Sequence, residues 1–294
     1  MQPIHYKIPI KIRNENVTIS TTVHNSPHPN GHTILYLHGG GLIYGTRHDL
    51  PRHHIHHMMA QGFDLIKLDY PLAPSVSLDE LFESLYDALL WLMSDPIQLN
   101  LSQLILFGRS GGTYLALKLC DLMMTRLNTS PKGLLLFYGY HTFEIPSFFE
   151  PTPTLGGKRL IHHDQIQQFY TPHIVVDDAT MIRALLYYHL RQHGTWMNAL
   201  GITYENCASY AISEEQLKLF PKSFIAASTS DDDVPYVMSV KLSHLIPDAT
   251  LFTVHDMPHD FDSQIKAPQT VALFEALDLW FNGLTKGVVQ SFPE

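Results

Sequence analysis

Compact apolar runs, each ending at a glycine or a turn, alternate along this chain with segments of helical period. A parallel strand is covered on both faces, so a buried strand appears as a continuous hydrophobic stretch rather than an alternating one. Six such runs follow Thr33, and we predict a strand in each: TILYLHG, FDLIKLDY, QLILFGRS, KGLLLFYG, KSFIAAST and ATLFTVHD. Strands that alternate with helices predict a doubly wound α/β sheet, mostly parallel, with helices on both faces.

The segments between these runs carry apolar residues at steps of three and four, which is the period of a helix with one buried face. This pattern predicts helices over residues 77–93 and 111–127. The opening of the chain is different, because β-rich runs at 7–12 and 17–23 precede a polar turn. We therefore expect the sheet to begin with two antiparallel strands.

After Tyr140 the alternation of strands and helices stops and resumes only at the fifth buried run. No Gly/Ser linker separates two self-sufficient halves of the chain. We therefore interpret 141–219 as a cap inserted into a single domain that spans 1–294. Within this cap the sequence predicts three helical stretches, at 161–169, 179–193 and 196–200.

Composition narrows the class of protein. The 294 residues are 45% hydrophobic and 16% charged, which suits a chain that buries one sizeable core and excludes a disordered one. No apolar run is long enough to span a bilayer, and a formal net charge of −9 disfavours nucleic acid and anionic membranes as partners. The two cysteines, Cys120 and Cys207, form no CxxC pair, so we expect reduced thiols and a cytoplasmic protein.

The sequence GRSGG at 108–112 follows a predicted strand and opens a predicted helix. A tight strand-to-helix turn of this kind exposes the serine hydroxyl, and small flanking residues let the two backbones approach. We therefore identify Ser110 as a candidate nucleophile, with the Gly111 amide at the helix start facing a developing oxyanion. The alternative is an ordinary glycine-rich turn.

A second glycine-rich turn, His38 followed by Gly39, Gly40 and Gly41, comes directly after the first predicted parallel strand. Consecutive glycines past a strand end leave N–H groups free to point into a site, so these amides are candidates to complete an oxyanion hole. A phosphate-binding loop is the alternative, but no GK[ST] follows. We expect His38 to brace this loop by a hydrogen bond rather than to react.

A serine nucleophile of this architecture requires an acid and then a histidine later in the chain. The acidic triplet Asp231, Asp232 and Asp233 follows the fifth parallel strand and leaves the choice of carboxylate open. The same triplet could instead be a solvated turn. For the base we favour His259 over His255, because His255 lies within a strand pattern and His259 lies in the loop beyond it.

Five motifs together resemble the α/β-hydrolases of the esterase/lipase, hormone-sensitive-lipase-like branch: HGGG at 38–41, DYPLAP at 69–74, GRSGG at 108–112, DDDVP at 231–235 and HDF at 259–261. The resemblance implies an α/β-hydrolase fold with a lid-like insertion after Tyr140, and it allows a homodimer. It also implies these roles: nucleophile Ser110, acid Asp231, base His259, and an oxyanion hole from Gly39, Gly40 and Gly111.

Two further features of the sequence allow more than one interpretation. Arg109 stands where the branch more often has aspartate, and it is either a surface residue, which we expect, or a group that favours an acidic acyl chain. The histidines of PRHHIHHMM include His53 and His57, one helical turn apart, which invites a metal site. No HExxH frame accompanies them, so we expect a solvated helix and no metal.

The sequence thus predicts a serine carboxylesterase that cleaves small, short-chain carboxylic esters through an acyl-enzyme, with no cofactor. The expected partner is a small-molecule ester, without nucleic acid or membrane. A serine peptidase or amidase could use the same residues, and a non-catalytic binding protein could keep the same fold.

Overall fold

The computed structural model describes residues 2–94 and 97–285 and contains an eight-stranded sheet. Its strand order is β1-β2-β4-β3-β5-β6-β7-β8, in which β1 pairs antiparallel with β2, β2 pairs antiparallel with β4, and all other neighbours are parallel. The strands are β1 (Ile4–Ile12), β2 (Glu15–His24), β3 (Thr33–Leu37), β4 (Asp64–Leu68), β5 (Leu104–Arg109), β6 (Gly133–Phe137), β7 (Ser223–Ser228) and β8 (Ala249–Val254).

This sheet confirms the predicted strands and the antiparallel start. Every residue of β3, β5, β6 and β7 is buried, as expected for parallel strands with helices on both faces. β1 alternates between exposed and buried residues over most of its length because one of its faces meets water. The carboxyl ends of the parallel strands lie at one edge of the sheet, where ligands bind in open α/β sheets.

The helices cover both faces of the sheet. They are α1 (Arg52–Ala60), α2 (Leu78–Met93), α3 (Gly111–Arg126), α4 (Pro146–Phe149), α5 (Ala184–Gln192), α6 (Trp196–Ala199), α7 (Glu214–Leu217), α8 (Tyr236–Leu245) and α9 (Pro268–Thr285). Apolar residues of α1 and α9 belong to one core cluster, and those of α2, α3 and α8 to a second cluster. The architecture is therefore the α/β-hydrolase fold that the resemblance implied.

The segment between β6 and β7 differs in detail from its prediction. A helix expected over 161–169 is instead two 3₁₀ turns, His163–Gln165 and Gln167–Phe169, anchored by buried Ile166 and Phe169. The helix expected from 179 begins only at Ala184, because the Asp178 carboxylate accepts a hydrogen bond from the Arg183 amide and holds the preceding turn. The interpretation of this segment as a cap stays a prediction.

No helix in the described ranges 2–94 and 97–285 is long and apolar enough to cross a membrane.

Candidate active site

Ser110 lies at a sharp turn between β5 and α3. Its backbone has φ +54° and ψ −124°, a conformation that non-glycine residues rarely adopt. A side chain at Gly108 would clash with the Gly112 carbonyl, and one at Gly112 would clash with the Leu37 carbonyl. Gly108 and Gly112 are therefore required by the close approach of backbone segments, and the turn presents Ser110 at the carboxyl edge of the sheet.

The glycine loop after β3 packs directly against this turn. A Cβ at Gly39 would lie 3.2 Å from the Ser110 Cβ, and one at Gly111 would lie 3.3 Å from the Gly41 nitrogen. Gly40 and Gly41 have φ +94° and +58°, which glycine adopts without strain. The three predicted oxyanion residues, Gly39, Gly40 and Gly111, are thus brought beside the predicted nucleophile. The Gly39 amide also faces the Asp49 carboxylate and helps to stabilise its charge.

His38 braces the glycine loop, as the sequence predicted. Its buried ring stacks on Tyr70 with ring centroids 4.0 Å apart, and its Nδ1 lies 2.9 Å from the Gly39 carbonyl oxygen. Burial lowers the pKa of His38 to about 4, so this imidazole is neutral at physiological pH. The Tyr70 hydroxyl donates to the His38 carbonyl at 2.8 Å and so fixes the base of the same loop.

The structure distinguishes the three aspartates that the sequence left open. Asp231 Oδ2 lies 2.7 Å from His259 Nδ1, and Asp231 Oδ1 accepts hydrogen bonds from the Asp233 and Val234 amides, both at 2.9 Å. The Asp231 side chain is only 1% exposed. Asp232 instead accepts from the Gly156 amide. Asp231 is therefore the carboxylate that orients His259.

The His259 ring is held on one side and free on the other. Burial opposes its protonation, but the Asp231 carboxylate outweighs burial and raises the pKa of His259 above its usual range. The Tyr138 ring packs against the imidazole with centroids 4.6 Å apart. Within the described residues, the buried Nε2 atom of His259 has no hydrogen-bond partner. This atom is thus available to a proton donor that enters the site.

Ser110 and His259 line the same cavity, whose volume is about 520 Å³. No hydrogen bond joins these two described side chains, and the glycines of the loop after β3 line the same cavity. The lining contains four carboxylates, those of Asp49, Asp232, Asp233 and Asp260, and the guanidinium of Arg109.

Arg109 is not a surface residue, and the expectation that it would be exposed is wrong. Its side chain is 6% exposed, and its NH2 group donates to Asp262 Oδ1 at 3.0 Å. Its Nε group donates to the Tyr138 hydroxyl at 2.5 Å. Burial of an unpaired guanidinium would greatly reduce the stability of the folded protein. Arg109 avoids this because it pairs with Asp262, which lies 153 residues later in the sequence. Because Asp262 holds its charge, Arg109 is poorly placed to bind an acidic acyl chain.

Asp262 connects the turn that carries Ser110 with the loop that carries His259. The Tyr138 hydroxyl donates to its Oδ1 at 2.7 Å, and His54 Nε2 lies 2.8 Å from its Oδ2. The Arg109 guanidinium opposes the cost of burial and holds the pKa of Asp262 well below its usual range. His259 is three residues before Asp262, so these contacts help to position the His259 loop relative to Ser110.

The histidine-rich helix α1 is therefore not the solvated helix that we expected. His54 is fully buried, and burial lowers its pKa, which keeps the ring neutral beside Asp262. His53 Nε2 lies 2.7 Å from the Asp262 carbonyl oxygen, and His57 Nε2 lies 2.9 Å from Asp278. Among the described residues, no group of three or more His, Cys, Asp or Glu side chains could hold a metal ion.

Removal of the Asp262 carboxylate is expected to destabilise the protein strongly. Asp262→Ala leaves the Arg109 charge buried without its main partner, and the loss of one member of a buried pair costs about 3–5 kcal/mol. We expect a decrease of this size in the free energy of unfolding, measured by urea denaturation. The double variant Arg109→Met/Asp262→Ala should lose less stability than Asp262→Ala, because no charge is left unpaired.

The exposed ion pair between Arg126 and Glu83 provides the matched control. Its partners are 41% and 55% exposed and their atoms approach to 2.6 Å. Surface pairs contribute about 0–1 kcal/mol, so Glu83→Ala should have a small effect. Equal losses in Asp262→Ala and Glu83→Ala would contradict the role assigned to the Asp262 cluster.

The segment between β6 and β7 supplies residues that the motifs could not identify. Arg191 and the Tyr187 hydroxyl both bond to the Asp233 carboxylate, the latter at 2.6 Å. The Trp196 indole donates to the Gly41 carbonyl at 3.0 Å. The segment is thus joined to both the acidic loop and the glycine loop. The only sequence signal for these contacts was the aromatic content of the predicted helices, which also fits plain core packing.

Comparison with known proteins supports the same fold. A family model described as the α/β-hydrolase fold matches residues 34–262. The crystal structure of an α/β-hydrolase superfamily protein from Enterococcus faecalis is 34% identical, with a TM-score of 0.84 over 96% of this chain and 100% of that one. A Staphylococcus aureus protein of unknown function is 29% identical, with a TM-score of 0.81 over 96% of this chain and 99% of that one.

Two further matches are more distant: one shares the fold, and the other is similar in sequence over part of the chain. Carboxyl esterase 2 of the fungus Tuber melanosporum shares the fold at 18% identity, with a TM-score of 0.67 over 96% of this chain and 86% of that one. The non-reducing polyketide synthase adrD of Penicillium rubens is 32% identical over 42% of this chain, and the match spans 5% of that protein. The family match covers both glycine turns, the acidic loop and the histidine loop, and the chain belongs to the α/β-hydrolase family.

Proposed function

We propose that this protein is a serine carboxylesterase acting on small carboxylic esters. His259 Nε2 accepts the proton of the Ser110 hydroxyl as its oxygen attacks the ester carbonyl carbon. The bond from that carbon to the alcohol oxygen then breaks, and His259 returns the proton to the leaving alcohol. Water, deprotonated by the same imidazole, releases the acid and restores Ser110.

The other predicted residues stabilise the charges that form during these steps. Asp231 holds the imidazole in the tautomer with Nε2 free and stabilises the imidazolium. The amides of Gly40 and Gly111 are proposed to donate to the oxyanion, which is worth about 3–4 kcal/mol per donor in a preorganised site. The Gly39 amide, the third predicted donor, faces the Asp49 carboxylate and would have to leave it to join them.

One observation carries this proposal. A partly buried histidine is fixed through Nδ1 by a buried carboxylate at 2.7 Å, while its Nε2 is left unpaired among the described residues, in a cavity that also contains a serine at a strained turn. An orienting acid, a base with one free nitrogen and a nucleophile are the parts that acyl transfer requires.

The charges that line the cavity suggest which esters it accepts. Asp233 is neutralised by Arg191, whereas Asp49 and Asp260 share Arg109, at 4.0 Å and 3.9 Å, with its closer partner Asp262. The carboxylates that line the cavity therefore outnumber the cations that face them. Burial raises the pKa of Asp49 to about 6, so most of this carboxyl is ionised at neutral pH. We therefore propose neutral or cationic esters as substrates. We further propose that residues 141–219 act as a cap that restricts acyl length.

Hydrolysis of a series of p-nitrophenyl esters, acetate through decanoate, tests the proposal. A cavity of about 520 Å³ suits a small substrate, so we expect kcat/KM to be highest for the shortest acyl chains and to fall towards decanoate. An ester with a free carboxylate on its acyl chain should react more slowly than the neutral ester of equal length, because of the carboxylates in the cavity.

A folded protein that hydrolyses none of these esters would contradict the carboxylesterase proposal. Anilides of the same acyl groups serve as a parallel series, because amides and esters pass through the same acyl-enzyme. A faster reaction with the anilides would favour the peptidase or amidase alternative.

A further inference from the structure

A second cleft, separate from the catalytic cavity, is lined by basic side chains. It lies between the first two strands of the sheet and α1 and has a volume of about 670 Å³. We name it the basic cleft. Its polar lining residues are His5, Thr22, His24, His48, Arg52, His56 and Lys67. No acidic residue lines it, although the whole chain has a formal net charge of −9.

The register of the sheet explains why these residues meet. His5 on β1 is opposite Thr22 on β2, and Thr22 is opposite Lys67 on β4. Residues opposite one another lie on the same face, and His24 joins that face because it is two positions from Thr22. The loop before α1 brings His48 over this row. Five elements of the chain thus direct basic groups toward one space.

Lys67 is the central group of the cleft. It is only 4% exposed, yet it makes no ion pair within 4.0 Å among the described residues. Burial, aided by the nearby charge of Arg47, lowers the pKa of Lys67, and the more distant carboxylates of Asp49 and Asp69 oppose this shift only in part. A largely buried lysine with no carboxylate at ion-pair distance reduces stability. Titratable groups with perturbed pKa values cluster at functional sites.

The imidazoles around Lys67 show the same lack of partners. His24 Nε2 is buried and has no hydrogen-bond partner in the described ranges, and burial together with Lys67 lowers the pKa of His24 to about 4. Burial and the charges of Arg47 and Lys67 also lower the pKa of His48. Three groups that disfavour one another's charge therefore share one cleft.

We propose that the basic cleft is a binding site for a phosphate group, either inorganic phosphate or the phosphate of a small monoester. A dianion with several acceptor oxygens matches the surplus of donors and supplies the missing counter-charge. The acidic catalytic cavity would repel the same anion, so the two sites are chemically distinct.

Isothermal titration of the protein with sodium phosphate, at constant ionic strength set by chloride, tests this site. We expect saturable binding of one phosphate per chain and binding at least tenfold weaker in Lys67→Met, because a charge-assisted hydrogen bond is lost. His24→Gln should also weaken binding. Lys7→Met is the matched control, since it removes the same charge from β1 outside the cleft lining and should change the affinity less than twofold.

Methyl phosphate distinguishes the two sources of the group, since tighter binding than inorganic phosphate indicates a monoester ligand. Lys67→Met should raise the thermal midpoint of the phosphate-free protein, because an unpaired buried charge is replaced by an apolar side chain of similar length. This measurement also verifies that the variant folds. Absence of saturable binding to the parent protein, or equal binding by Lys67→Met and the parent, would overturn the proposal.

Discussion

Replacement of Ser110 by alanine is expected to lower kcat/KM for p-nitrophenyl acetate by about 10⁴-fold or more. The proposed acyl-enzyme cannot form without the hydroxyl. The other serine of the cavity lining, Ser263, accepts a hydrogen bond from Arg109. The Ser110 side chain makes no capping hydrogen bond to α3, so its loss should not destabilise the fold. Residual activity would come from binding and the oxyanion donors alone.

The design separates loss of chemistry from loss of structure. The thermal midpoint of Ser110→Ala should match that of the parent, and Ser209→Ala, at an exposed serine in the β6–β7 segment, should retain full activity. Phenylmethylsulfonyl fluoride should add one sulfonyl group to the peptide that contains Ser110, as seen by mass spectrometry, and none to the alanine variant. Full esterase activity in Ser110→Ala would exclude this serine as the nucleophile.

The sequence was most informative about the fold where local pattern and burial agree. Each parallel strand appeared as a short apolar run because both of its faces are covered, and its pairing partners did not need to be known. The segment between β6 and β7 was less predictable. Its backbone follows contacts such as Trp196 with Gly41 and Tyr187 with Asp233, which join positions remote in the chain. The spacing of hydrophobic residues in a short stretch of sequence does not reveal such contacts, so the predicted helix ends in this segment were wrong.

Some residues of the candidate site could likewise be identified from the sequence, whereas others required the structure. Ser110 and His259 were identifiable because strand-to-helix turns and strand ends impose local sequence requirements. The choice of Asp231 needed coordinates, since only geometry shows which of three adjacent carboxylates reaches the imidazole. Arg109 was misjudged because charge predicts exposure unless a buried partner exists, and Asp262 is its partner across the fold.

Asp231→Asn is expected to reduce the maximal kcat/KM by about 10³–10⁴-fold and to move its pH dependence. The asparagine amide can accept from Nδ1–H or donate to Nδ1, so it no longer fixes the tautomer with Nε2 free, and it carries no charge to stabilise the imidazolium. The carboxylate also accepts from the Asp233 and Val234 amides, and the asparagine oxygen can keep these loop contacts. Asp232→Asn is the matched control and should lose far less activity, because Asp232 does not contact His259.

The sign of the pH effect follows from the groups around His259. The base must be neutral to act, and the Asp231 carboxylate raises its pKa, so kcat/KM of the parent should rise with pH through a value above 6.5. In Asp231→Asn the cost of burial dominates, so the acid limb of the activity profile should move to lower pH.

The stability of the protein has the opposite dependence on pH. A raised pKa in the folded state stabilises the protein fully below the unfolded value of about 6.5, and this contribution is lost as pH rises through the folded value. Unfolding by urea across the same pH range should therefore show a loss of stability where activity increases, and Asp231→Asn should abolish that loss. An acid limb that stays in place in the variant would mean that another group limits the reaction.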